Sequence, residues 1–178
     1  RAAGMMSAEL IEGEGNPLVY GEWLGAPGKP TVLFYGHYDV QPAEPMELWT
    51  SPPFDPVMTE GPNGPRVVAR GAVDDKGQVM LVFKALETLM MVNGVLPINV
   101  KVLIEGEEEA GGESIEAYVR SYPERLQCDA AFICDTHMPS KELPALIYGL
   151  RGIIYTEIEV QGAQRDLHSG SYGGVAPN

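Results

Sequence analysis

Hydrophobic positions change period several times along the chain. Thr31, Val32, Leu33, Phe34 and Tyr35 form a β-branched and aromatic run closed by Gly36, which predicts a buried strand. Ahead of it, residues 18–20 and 22–24 flank Gly21 and predict one bent strand leading to the turn Gly25-Ala26-Pro27-Gly28. From Asp75 onward Val79, Val82, Phe83, Leu86, Leu89 and Met90 recur every three or four positions, the spacing of a helix with one apolar face. Asn93-Gly94 stops that helix, because both residues tolerate a left-handed backbone. Residues 98–104 predict a second strand, and 114–122 a short helix with Ile115, Tyr118 and Val119 inward. Residues 130–134 predict a third buried strand, and the proline-rich stretch 42–65 a long ordered loop. In 153–160, Thr156, Ile158 and Val160 alternate with Tyr155, Glu157 and Glu159, the pattern of a half-exposed strand opening another domain. Strands alternating with helices argue for an α/β fold, a mainly parallel sheet flanked by helices.

Composition narrows the function. The 178 residues are 44% hydrophobic, enough for a sizeable core. Twelve basic against twenty-five acidic residues give a net charge of -13, which repels phosphate and makes nucleic acid and anionic membrane poor partners. Two cysteines, Cys128 and Cys134, make no disulfide framework and suit a reducing, cytoplasmic compartment. No apolar run is long enough to span a membrane. The start at Arg1 and the stop after a glycine-rich turn read as cut ends, so the chain is expected to be a piece of a longer protein.

The acidic excess either keeps the protein soluble or converges in part on a cation. Three predicted strands run into chemistry-bearing residues at their carboxyl ends: Gly36-His37-Tyr38-Asp39, Glu105-Gly106-Glu107-Glu108-Glu109, and Asp135. Ligands of open α/β sheets bind at that edge. Arg70-Gly71-Ala72-Val73-Asp74-Asp75-Lys76-Gly77 enters the helix beside them. Each piece alone has a plain explanation. Asp75 reads as a helix N-cap, the glutamate run as a solvated loop, and His137 as an exposed loop residue. Together, however, His37, Asp74, Glu109 and Asp135 would crowd like charges, each close pair costing roughly 4 kcal/mol at an effective dielectric constant of about 20. A divalent cation removes that penalty. One imidazole with carboxylates suits zinc, with manganese or cobalt as alternatives. Asp39 then serves as the partner that fixes the His37 tautomer. Of the neighbours Glu108 and Glu109, one can ligate while the other reaches the water that the metal acidifies. Metal-assisted amide hydrolysis is the reaction class.

The motifs Gly36-His37-Tyr38-Asp39-Val40-Gln41-Pro42, Trp49 with Pro53-Phe54, residues 69–77, 105–109 and Tyr148-Gly149-Leu150-Arg151-Gly152 stand in an order that resembles one family. It is the co-catalytic zinc exopeptidases that include carnosinase-type dipeptidases, carboxypeptidases and acetylornithine deacetylase. Val40-Gln41-Pro42 and the tryptophan loop resemble its dipeptidase branch. The resemblance implies two zinc ions, with His37 and Asp135 on one, Glu109 on the other and Asp74 bridging. It implies that Asp39 orients His37, that Glu108 is the general base, and that the peptide Asp74-Asp75 is cis. His168 matches a lid histidine that reaches the partner subunit's active site to stabilise the oxyanion, which implies a homodimer. The implied layout is a catalytic, metal-binding domain over 1–152, incomplete and amino-terminal, and the beginning of an α+β lid or dimerisation domain over 153–178. A later histidine of the family's second zinc shell has no counterpart here, so one well-formed metal position is expected of this chain alone.

The expected function is therefore hydrolysis of the peptide bond of dipeptides or short peptides. Two other functions fit the same residues: a catalytically silent fragment serving as a binding or assembly module, and an N-acyl-amino-acid deacylase using the same metal chemistry.

Overall fold

The computed structural model describes residues 3–174. Its contacts divide the chain after Ala145 into two compact units.

The first unit is built on a five-stranded sheet in the order β1-β2-β6-β3-β7. Strand β1 spans Ser7–Ile11, β2 Leu18–Trp23 and β3 Thr31–His37. A separate hairpin follows, β4 Val57–Gly61 and β5 Gly64–Val68, then helix α1 Lys76–Asn93 and strand β6 Asn99–Glu105. Helices α2 Glu113–Ser121 and α3 Pro123–Leu126 lead to β7 Ala130–Ile133. The α/β fold class holds, but the sheet is mixed. Strand β3 pairs in parallel with β6 and β7, whereas β2 runs antiparallel to both β1 and β6. A short turn brings β2 directly into β3, so β2 lies across β6 in the opposite direction and no crossover helix is needed.

Strand β6 lies at the centre and is buried along its whole length. Its alternation sorts two cores. Val100, Val102 and Ile104 join Phe34, Trp23 and the α1 residues Val79, Val82, Phe83, Leu86 and Met90 in one cluster. Leu103 joins Leu18, Tyr20, Tyr118 and Leu126 in a second cluster, with Ile115 of α2 against it. Helix α1 ends as its sequence predicts, with Gly94 at φ 73° and its N–H donating to the Met90 carbonyl.

Three expectations are corrected. Residues 42–65 are not one long loop, because they contain β4 and part of β5, where Val57 and Thr59 alternate with exposed Met58 and Glu60. Strand β1 has no counterpart among the predicted elements and takes its strand form from pairing with β2. Strand β7 is exposed rather than buried, since it is the outer strand of the sheet among the described residues. Residues 153–160 form no strand; among the described residues nothing pairs with them, and a strand needs a partner for its backbone groups.

In the second unit the regular structure among the described residues is the short helix α4, Ser169–Tyr172, with His168 as its N-cap. No helix among the described residues is long and apolar enough to cross a membrane.

Candidate metal centre

Parallel pairing assembles the centre. Tyr35 and Ile133 are register partners across β3 and β7, so residues two further on, His37 and Asp135, emerge side by side. His37 is the register partner of Glu105 across β3 and β6, and the Tyr38 N–H donates to the Glu105 carbonyl at 2.8 Å. The loop after β6 therefore starts beside His37. Asp74, just ahead of α1, completes the group: ligand atoms of His37, Asp74 and Asp135 all lie within 4.8 Å of one another.

His37 is fully buried, and its two ring nitrogens have different surroundings. Nδ1 lies 3.1 Å from Asp39 Oδ1 and 3.2 Å from the Asp39 carbonyl. Both neighbours are acceptors, so Nδ1 carries a proton. Nε2 faces Asp74 Oδ1 at 3.0 Å and Asp135 Oδ2 at 3.4 Å, yet it is buried without a hydrogen bond of acceptable geometry. Burial alone would lower the His37 pKa, but the surrounding carboxylates of Asp135, Asp39, Asp75 and Glu108 outweigh it and hold the pKa above its ordinary value. The site favours positive charge at Nε2. A divalent cation meets that demand, and two carboxylates and a buried imidazole nitrogen without a hydrogen bond are donors that zinc or manganese accepts. Two carboxylates within 4.8 Å of each other repel by at least about 3 kcal/mol at an effective dielectric constant of about 20, which a cation reverses. Asp74 and Asp135 remain reachable, with side chains 61% and 30% exposed.

Asp39 does more than orient a ring. Its carboxylate also accepts the backbone N–H of Glu108 at 3.3 Å and of Glu109 at 3.0 Å. The imidazole and the glutamate corner thus share one acceptor. Glu108 is exposed yet partly desolvated, which pushes its pKa up; His37 opposes the rise, while Glu109, Asp135 and Asp74 add to it.

Glu109 stands outside the cluster of three. Its Oε2 instead accepts an N–H from Gln41 at 2.6 Å. Asp75 occupies the N-cap position of α1 but makes no capping bond; its buried Oδ2 accepts the backbone N–H of His37 at 3.2 Å. The Asp74-Asp75 peptide is cis, as the resemblance implied. His137 is exposed, as expected. His168, in the second unit, accepts the Gly170 N–H on its own Nδ1 at 3.1 Å.

Residue patterns alone missed two contributors. Gln41 is one; it lies two and four positions after Asp39 and His37, a spacing that keeps side chains on one side of an extended segment. The other is the pair of half-buried Tyr35 and buried Glu105, in which the tyrosine hydroxyl donates to Glu105 Oε1 at 2.5 Å. Burial is the main cause that lifts the pKa of each.

The profile of Peptidase family M20/M25/M40 matches residues 33–168. Cys-Gly metallodipeptidase dug1 of Schizosaccharomyces pombe is 39% identical over 161 residues, 89% of this chain and 33% of that protein. Beta-Ala-His dipeptidase of Mus musculus is 37% identical over 161 residues, again 89% of this chain and 32% of that protein. The crystal structure of human carnosine dipeptidase 1 superposes with a TM-score of 0.68 at 30% identity, covering 97% of this chain and 38% of that one. The chain thus spans about a third of the length of the curated relatives it matches.

Proposed function

The chain belongs to peptidase family M20/M25/M40, and from that premise we propose that it carries the metal centre of a hydrolase that cleaves the amide bond of dipeptides or short peptides. The observation that supports this most is the convergence of His37, Asp74 and Asp135 at the carboxyl edge of the parallel strands, with Glu108 electrostatically coupled to all three. The relatives named as dipeptidases point to the same substrate class.

In this reading His37 and Asp135 would hold one divalent cation, Glu109 would hold a second, and Asp74 would serve both; zinc suits the donors best. A cation held there supplies Lewis acidity, polarising the scissile carbonyl and acidifying water near neutral pH. The chain's own residues do the rest. Asp39 keeps the proton on His37 Nδ1 and so presents Nε2 as a lone pair. Glu108 accepts a proton from the attacking water as the C–O bond forms, and returns it to the amine nitrogen as the C–N bond then breaks. Its raised pKa suits a group that must both take and release that proton. By the family resemblance, residues 153–178 begin a lid or dimerisation domain over which two copies pair, and His168 stabilises the oxyanion from the partner side. Two free cysteines fit a cytoplasmic setting.

The test is Glu108→Gln in the purified intact protein, loaded with zinc. Dipeptide hydrolysis should fall by about 10²–10⁴-fold, the usual range for a general base, while metal content stays unchanged. Normal turnover in that variant would sink the assignment. Assaying an N-acetyl amino acid beside the dipeptide separates peptidase from deacylase.

A further inference from the structure

Val40-Gln41-Pro42 is a motif that the catalytic assignments above leave without a task. Its glutamine makes a short contact: Gln41 Nε2 to Glu109 Oε2 is 2.6 Å. A carboxylate only accepts, so the side-chain amide presents its N–H group to Glu109. Glu109 is held from a second direction as well, its backbone N–H donating to Asp39 Oδ2 at 3.0 Å. One short segment therefore handles three parts of one centre: His37 supplies a buried ring, Asp39 grips that ring and the backbone of the glutamate corner, and Gln41 grips a glutamate side chain.

We infer that Gln41 is a positioning residue that fixes one oxygen of Glu109, so that the other would serve a cation. The inference rests on the proposed role of Glu109 as a metal ligand. The chemistry of the amide suits this task. It donates a hydrogen bond without carrying charge, so it orients the carboxylate and leaves its negative charge available. A lysine or arginine would neutralise Glu109 and compete with the cation. A glutamate in its place would repel Glu109. Ligand-orienting contacts of this kind typically contribute 10–100-fold in metal affinity. Gln41 itself is exposed and makes its contact at the surface, so its replacement leaves the core packing untouched.

The experiment compares Gln41→Met, which keeps the side-chain length but has no donor, with Gln41→Ala and Glu109→Ala. Each purified intact protein is stripped with a chelator and titrated calorimetrically with Zn²⁺, and the unfolding midpoint of the stripped form is measured. Both Gln41 variants should weaken one metal equivalent by about 10–100-fold. The other equivalent and the midpoint of the stripped protein should match wild type. Glu109→Ala should lose the same equivalent. Wild-type affinity for every equivalent in the Gln41 variants, with that loss present in Glu109→Ala, overturns the role of Gln41 alone. Equal weakening of all equivalents together with a lowered midpoint also overturns it, since that marks a merely structural contact. Retention of every equivalent in Glu109→Ala overturns the ligand reading of Glu109 instead.

Discussion

Replacing Asp39 with alanine takes its carboxylate from three donors: His37 Nδ1 at 3.1 Å, which keeps only the weaker residue-39 carbonyl at 3.2 Å, and the backbone N–H groups of Glu108 at 3.3 Å and Glu109 at 3.0 Å. The Asp39 side chain is 15% exposed, so water replaces little of what is lost at the ring and at Glu109. Hydrogen bonds to a charged group contribute about 1.5–3 kcal/mol each, and the lower end applies to two of these, giving about 3 kcal/mol. The longer bond to the exposed Glu108 amide adds little, because water can take the place of the carboxylate there. At 1.4 kcal/mol per factor of ten, 3 kcal/mol corresponds to about 100-fold in metal affinity, the upper end for a ligand-orienting contact. Asp39→Asn keeps one acceptor oxygen and should lose about tenfold by the same scale. The assay is zinc titration of the chelator-stripped protein by calorimetry, with elemental analysis after dialysis. The expected order of affinity is wild type, then Asn, then Ala. Binding by Asp39→Ala within about threefold of wild type would refute the claim that one carboxylate organises both the ring and the glutamate corner.

Further predictions concern neighbouring positions. Asp74→Ala should lose at least one bound metal by elemental analysis after dialysis, and an unchanged content would refute its place between the two cations. Glu105→Gln should raise the unfolding midpoint of the stripped protein at pH 8 and leave it unchanged at pH 4. The folded-state pKa of Glu105 is raised, chiefly by burial, so its stabilising protonated form is complete below the unfolded pKa and is lost as pH rises through the folded one. A Gln variant that melts below wild type at pH 8 would contradict this sign. Gly106→Ala should destabilise by about 1–3 kcal/mol, read from the urea midpoint, because its new Cβ runs into the Tyr38 ring, whose hydroxyl is tied to the Pro17 carbonyl at 2.8 Å.

Much of the centre was legible from residue types. Strand ends and a helix start point to His37, Asp74 and Asp135, and these three meet. Asp39 was expected to hold the ring, and it does so at 3.1 Å. Its hold on the backbone of Glu108 and Glu109 carried no sequence signal, since any residue offers an N–H. Asp75 read as a helix cap, yet in the fold its carboxylate turns to the His37 backbone. The capping rule concerns one helix end by itself, whereas here a neighbouring strand supplied a better-buried donor. Residues 42–65 hid a hairpin because proline and glycine dominate the pattern there, and pairing between β4 and β5 overrides that local preference.

The period of β3, β6 and α1, the stop of that helix and the donor types of the candidate centre lay in the sequence, because a period of two or of 3.6 is a local property and a carboxylate keeps its chemistry wherever it sits. The antiparallel β2 and the exposure of β7 lay outside it. So did the step that places Asp135 beside His37, two residues beyond the paired Tyr35 and Ile133. Register joins residues far apart in the chain, and only the packed sheet sets it.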